Sequence, residues 1–303
     1  MMKMQVNEGY WLGAWRRVLR QPKAVICLIV IMLYLGVAFW VYTGWKVPDW
    51  EKVDFDQSYQ APSREHLLGT DIHGRDVMAK TVYGTKVAIT VALLASVLAA
   101  VIGLSLGMTA GFFGGVVDEI ITWIYSTLQS IPYILLILAF AFVLQDKYFS
   151  LLGLEFRIRG INAVYLALGL TGWVGLCRLI RGEVIKHRDR DYVLAARAVG
   201  LSSGRIIFRH LAPNVFHLVI ITFSLSFISY IHAEVILSFL GLGAKGVPSW
   251  GVMIDDSKLE LARGVWWQLA AASGAIFFIS LTLHIFGDSL RDALDPRLRG
   301  DRR

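Results

Sequence analysis

Six apolar stretches divide this chain, at about 24–43, 87–110, 119–144, 162–181, 214–237 and 265–287. Each is about twenty residues or longer, the length at which a helix rising 1.5 Å per residue crosses a hydrocarbon core of roughly 30 Å. Inside lipid every backbone N–H and C=O must find its partner within the protein, which makes helices the solution for segments of this length. The expected fold is an all-α polytopic membrane protein with six transmembrane helices. Composition agrees, with 56% hydrophobic and 17% charged residues, against about 45–50% and about 25% in soluble domains. The first apolar run follows a basic segment, residues 1–23. It is long for a signal peptide and no small-residue cleavage site follows it, so it reads as an uncleaved span. Cys27 and Cys177 both lie in apolar runs and read as buried thiols.

An even number of spans puts both termini on one side. The segments on that side (1–23, 111–118, 178–213, 288–303) carry 18 Lys and Arg, against 12 in 44–86, 145–161 and 238–264. The positive-inside rule therefore places both termini and the segment 183–213 in the cytoplasm, and 44–86 outside. The same rule accounts for the net charge of +7 without nucleic acid as a partner.

Residues 183–213 are the longest polar interruption on the basic side. They read as two short helices with a tight turn between them. Asp191 is placed to cap the first, Gly200 to end it in the left-handed conformation, and Ser202 or Ser203 to cap the second. Pro213 suits the first turn of the following helix. Arg197, Arg205, Arg209 and His210 beside apolar Leu194, Val199, Ile206 and Phe208 make a docking surface for another protein. Gly200-Leu-Ser-Ser-Gly204 also matches the G-x-S-x-G nucleophile elbow. That motif needs a preceding strand, and helix-end chemistry explains these residues instead.

Gly103, Gly107, Gly111 and Gly115 recur every four residues, which lines one helix face with small residues for close helix packing. His66, Gly69, Asp71, Gly74, Arg75 and Asp76 form a polar turn with several potential cation ligands. Their spacing fits no tight zinc pattern, so the expectation is a hydrogen-bonded turn with no metal. It leads into an amphipathic segment with Val77, Met78, Val82 and Tyr83 opposite Lys80 and Lys86. Glu234 and His232, near the outer end of the fifth stretch, are a candidate gate, because an acid at membrane depth is costly. Trp266 and Trp267 read as interface anchors, and Pro132 as a kink in the third span. The chain has no G-x-x-x-x-G-K-[ST] phosphate loop, so any ATPase driving it is a separate chain.

The hairpin resembles the EAA loop of bacterial ABC importer permeases, with Ala195, Ala196, Gly200 and Pro213 in place. Leu194 stands where the loop has Glu, His210 at a hydrophobic position and Ala212 at a Leu. Other segments resemble signatures of the dipeptide/oligopeptide/nickel permease family, C-type subunit, in matching order along nearly the whole chain. They are His66–Asp76, Ala110–Gly115, Arg205–Asn214, Leu237–Gly243, Pro248–Gly251 and Leu290–Leu298. The resemblance implies a type I ABC importer permease fold in the inner membrane, with residues 87–287 as core domain and 183–213 as coupling loop. It implies a second homologous permease subunit, two cytoplasmic ATPase subunits that bind ATP and Mg, and an extracytoplasmic substrate-binding protein. This chain would hold no cofactor and have no catalytic residues. It would move peptides by alternating access, with nickel or another small solute as the alternative cargo. With Leu194 in place of Glu, docking is expected to be apolar with Arg contacts. A stand-alone secondary transporter would need inverted repeats or mid-membrane charges, and neither is evident.

Overall fold

The computed structural model describes residues 13, 15–45, 49–151, 154–158, 160–243 and 246–294. Most of the N-terminal segment 1–23, and the end of the C-terminal tail from residue 295, lie outside the described residues.

The helices are α1 (Pro22–Thr43), α2 (Val77–Phe113), α3 (Gly115–Gln129), α4 (Tyr133–Leu144), α5 (Ile161–Gly172) and α6 (Val174–Arg188). Then come α7 (Asp191–Ala198), α8 (Ser203–Ile206), α9 (Ala212–Phe239), α10 (Trp250–Leu261) and α11 (Trp267–Leu294). Among the described residues five helical runs are long and apolar enough to cross a membrane, or six when the bent pair α3–α4 counts as one span. The all-helical expectation misses one element. Tyr148–Leu151 (β1) and Leu154–Arg157 (β2) pair antiparallel in the segment between the third and fourth spans.

The central helix is α2, which packs against α1, α5, α6, α9 and α11. At 37 residues it starts ten residues before the expected span. Two features carry it outward. Asp76 caps it, accepting from Ala79 N–H at 2.9 Å, and Lys80, expected on a polar face, is 2% exposed because it has buried partners. Met78, expected on the apolar face, is exposed.

Three of the four spaced glycines hold α2 against α6. A Cβ at Gly103, Gly107 or Gly111 would lie 2.7–2.8 Å from the carbonyl oxygens of Trp173, Cys177 and Arg181 respectively. Those carbonyls also recur every four residues, so the two ladders match in register. Gly115 departs from the set. It opens α3 with φ +50°, and a Cβ there would meet nothing within 4 Å.

The third span breaks more sharply than a kink. After Gln129 the chain turns and resumes at Tyr133, with α3 and α4 at 96°. Pro132 occupies the N-cap of α4, where its missing N–H costs no hydrogen bond. The fourth span does not break: Trp173, between α5 and α6, keeps helical φ and ψ, and Ile161–Arg188 runs as one span of 28 residues.

Candidate functional site

The hairpin is a rigid knob with one buried and one exposed face. Val193, Ala196, Ile206, Ile207 and Leu211 are buried in a cluster with Met108 and Phe112 of α2 and Leu176, Ile180 and Val184 of α6. Ala196 and Ile206 therefore anchor the knob and are not part of its presented face. Leu194 and Ala195 are exposed, as are Val199 (81%) and Phe208 (78%) near the turn. Gly200 takes φ +79°. Around it Leu201 N–H donates to Ala196 C=O at 3.1 Å and Gly200 N–H to Arg197 C=O at 2.9 Å. This Schellman pair satisfies the carbonyls at the end of α7.

The caps differ from the sequence reading. Arg190 is the N-cap of α7, with no side-chain cap bond, and Asp191 is the first helical residue, where its charge still favours the helix N-terminus. Ser202 is the N-cap of α8 by backbone position, but its hydroxyl makes no cap bond. The element leading into Gly200-Leu-Ser-Ser-Gly204 is the helix α7, where a nucleophile elbow would need a strand. The second short helix is not separate from the fifth span. It runs through a π-helical turn, Ile207–Leu211, into α9. That wider turn sits just before Pro213, whose ring would clash with carbonyl 209 in a regular helix. Asn214 Nδ2 donates to His210 C=O at 2.7 Å.

A polar strap ties the knob to both flanking spans. Asn214 Nδ2 donates to Tyr192 Oη at 3.3 Å, and the Tyr192 hydroxyl bonds His187 Nδ1 of α6 at 2.9 Å. Arg197 lies over the Phe112 ring, 5.1 Å from its centroid, so it faces the membrane domain. Arg205 and Arg209 are exposed, His210 is half-buried and Pro213 is exposed.

At the opposite end, residues 54–76 fold into a compact turn. His66 Nδ1 meets Asp76 Oδ2 at 2.8 Å and its Nε2 meets Gln57 Oε1 at 2.9 Å. Gly69 and Gly74 have positive φ, and a Cβ on Gly74 would clash with the Asp54 backbone. Among the described residues no three His, Cys, Asp or Glu side chains converge as metal ligands. Asp71 is 1% exposed and accepts from the His73 and Arg75 N–H groups, from Arg75 Nε and from Lys80 Nζ at 3.0 Å. Burial pushes its carboxyl up, but Lys80 and Arg75 outweigh that and hold it below the usual carboxylate range. Lys80 also donates to Gln268 Oε1 at 2.7 Å and reaches Asp256 at 3.4 Å. Glu260 accepts from Ile72 N–H at 3.2 Å through Oε1, while Oε2 is buried without a hydrogen-bond partner. Burial raises its pKa, and the Ile72 bond and Lys80 offset this only in part.

The gate residues do not come together. Glu234 is fully buried and accepts from Ser238 Oγ at 2.6 Å. His232 is exposed and bonds Ser280 Oγ of α11 at 2.8 Å. Trp267, expected as an interface anchor, is instead 9% exposed, with Nε1 donating to Thr70 C=O at 2.8 Å.

Comparison with known proteins places this architecture. Residues 103–300 match the description of the binding-protein-dependent transport system inner membrane component. The chain belongs to that family. This permease is 35% identical to the dipeptide transport system permease protein DppC of Bacillus subtilis, over 96% of this chain and 87% of that protein. It is 33% identical to the oligopeptide transport system permease protein OppC of Escherichia coli, over 98% and 95%. It is 31% identical to the glutathione transport system permease protein GsiD of Pectobacterium atrosepticum, over 95% and 92%. Among solved structures, a chain of the inward-facing MetNI methionine ABC transporter has the same fold. Its TM-score is 0.53 at 15% identity, covering 72% of this chain and 97% of that one.

Sequence reading missed several residues of this permease. Lys80, Asp256, Gln268 and Glu260 form a network at the end opposite the knob, joining α2, α10, α11 and the 54–76 turn across up to 188 residues of sequence. A lysine placed where a span would begin reads as solvated, and only its distant partners show otherwise. Tyr192, His187 and Asn214 each look like ordinary loop polarity until the fold joins them.

Proposed function

We propose that this multi-pass inner-membrane permease forms part of the transport path of an ATP-driven peptide importer, and that its α7–α8 knob docks on a separate ATPase subunit. The observation that carries the proposal is the knob's two-sidedness. One face is locked into the membrane domain and the other presents Leu194, Val199 and Phe208 beside Arg205 and Arg209. An exposed apolar patch rimmed by charge is the usual mark of a protein interface. The peptide cargo rests on the relatives, named for dipeptide and oligopeptide transport.

In this reading both termini and the knob are cytoplasmic. The 54–76 turn, β1–β2 and α10 face the binding protein, a second permease subunit completes the path, and this chain itself makes and breaks no covalent bond. ATP binding closes the ATPases and carries the knob with them. Its strap through Tyr192 and its helical continuity into α9 pass that motion to the spans. Coupling of this kind requires the ATPases to bind the two states with different affinity.

The test is reconstitution with the partner subunits and peptide uptake on ATP. Phe208→Asp and Val199→Asp should abolish ATP-driven uptake and weaken ATPase association, with wild-type folding. Undiminished uptake in both variants would refute knob docking.

A further inference from the structure

A helix break in this permease faces a cleft. The α3–α4 break at 130–132 borders a volume of about 440 Å³, which Gly172 of α5, Gly175 of α6 and Ser226, Ser229 and Tyr230 of α9 also line. Irregular backbone at membrane depth is tolerated only where protein buries it or a water-filled cavity receives it. Interrupted transmembrane helices therefore point to the place where a transporter handles polar cargo. Gln129 ends a helix of fifteen residues, so it lies about 22 Å from the start of α3, at the break within the third span.

The chemistry of the lining is specific in what it offers. Gln129, Tyr133, Thr171, Ser229 and Tyr230 line it. The Thr171 and Ser229 hydroxyls donate to the Ala167 and Leu225 carbonyls of their own helices, so they offer lone pairs to a ligand, and the lining has no Asp, Glu, Lys, Arg or His. Just beyond it Arg178 Nη1 donates to Gln129 Oε1 at 3.1 Å. That engages the acceptor end of the amide and leaves its N–H₂ to meet a carbonyl. A fixed charge in so low a dielectric would hold oppositely charged side chains and repel like ones. A conducting site must bind weakly enough to release. Neutral donors and acceptors fit the one group that every peptide carries, its main-chain amide. The volume falls within the range of about 300–1,000 Å³ typical of small-molecule sites.

Two glycines on this wall differ in purpose. Gly172 is small because the Tyr230 ring fills its place, with Cζ 2.8 Å from where a Cβ would sit. Gly175 is exposed on α6, and a Cβ there would meet nothing within 4 Å. Its missing side chain leaves open space and serves no packing contact within this chain.

We propose that this cleft is a way-station that holds the main chain of a passing peptide by neutral hydrogen bonds, and that Gly175 sets its width. The proposal rests on the peptide-importer reading above. The test uses the assembled complex with its ATPases and binding protein in proteoliposomes, with dialanine and pentaalanine as probes. Gly175→Leu and Gly175→Trp should lower pentaalanine uptake about tenfold relative to dialanine, as overpacking of a passage would. Gly175→Ala should transport both as wild type does. Binding-protein-stimulated ATP hydrolysis, measured in the same liposomes, should persist in all three, which shows that each variant is folded and coupled. Equal loss for both peptides, or no loss in Gly175→Trp, overturns the way-station. Wild-type complexes that take up neither peptide overturn it together with the peptide reading.

Discussion

Replacing Gly107 by alanine tests the register of the α2–α6 interface. A Cβ at Gly107 would lie 2.7 Å from Cys177 O and 2.9 Å from Ile180 Cβ. Carbon contacts settle at about 3.5 Å, so the helices must part by about 0.7 Å or the site must distort. The neighbours are a backbone carbonyl and a β-branched Cβ, neither of which can swing away, so an overpacking cost of about 1–3 kcal/mol is expected. Alanine also gains up to about 1 kcal/mol over glycine in a helix. Gly182→Ala on α6 is the internal control, because a Cβ there meets nothing within 4 Å. The helical gain is common to both variants and cancels. Gly107→Ala should therefore be less stable than Gly182→Ala by the overpacking cost alone, about 1–3 kcal/mol. Thermal unfolding of the purified permease complex reads this difference. Gly103→Ala and Gly111→Ala should behave like Gly107→Ala. If Gly107→Ala is as stable as Gly182→Ala, the interlocked ladder is wrong.

Other outcomes follow from the Lys80 network and the strap. Lys80→Met leaves buried Asp71 with Arg75 as its remaining cation and should cost about 3–5 kcal/mol in unfolding experiments. The Asp71 carboxyl is held below its ordinary 3.8, so the wild-type contribution is full above that value and is lost as pH falls through the folded pKa. The variant's deficit should shrink in acid. Glu260 is shifted the other way, above 4.5, so its contribution is full below pH 4.5 and is lost as pH rises through the folded pKa. Glu260→Gln should therefore gain on wild type as pH rises, and a pH-independent difference would refute the raised carboxyl. Tyr192→Phe removes both strap bonds, to His187 and Asn214, each worth about 0.5–1.5 kcal/mol, and should lower the peptide moved per ATP hydrolysed, measured in proteoliposomes.

What the sequence discloses, and what it withholds, follows from the range of the interactions. Apolar runs are local, so the spans are legible, as is the polar knob with its Gly200 turn. Three of the four glycines in the ladder are legible because a four-residue spacing is itself a helix face. Gly115 breaks the pattern because the helix ends at Phe113, an event the spacing does not encode. Pro132 marks a break but not its 96° angle, which depends on how α4 packs on α5. Pro213 does lie in the first turn of α9, but its presence does not disclose the π turn before it, which lets one helix run from the knob into α9. The start of α2 is hidden because Lys80 owes its burial to Gln268 and Asp256, far away in the chain.

The central claim is that the α7–α8 knob is the seat of a separate ATPase. Val199 is its most direct reporter, at 81% exposure next to the Gly200 turn. Cys27 and Cys177 are buried, so a cysteine introduced as Val199→Cys would be the reactive thiol among the described residues. With a short bifunctional cross-linker in the assembled, transport-active complex, the account predicts a covalent adduct between this permease and an ATPase chain whose yield changes with ATP. An active complex in which position 199 never cross-links to an ATPase chain, with or without ATP, would contradict it.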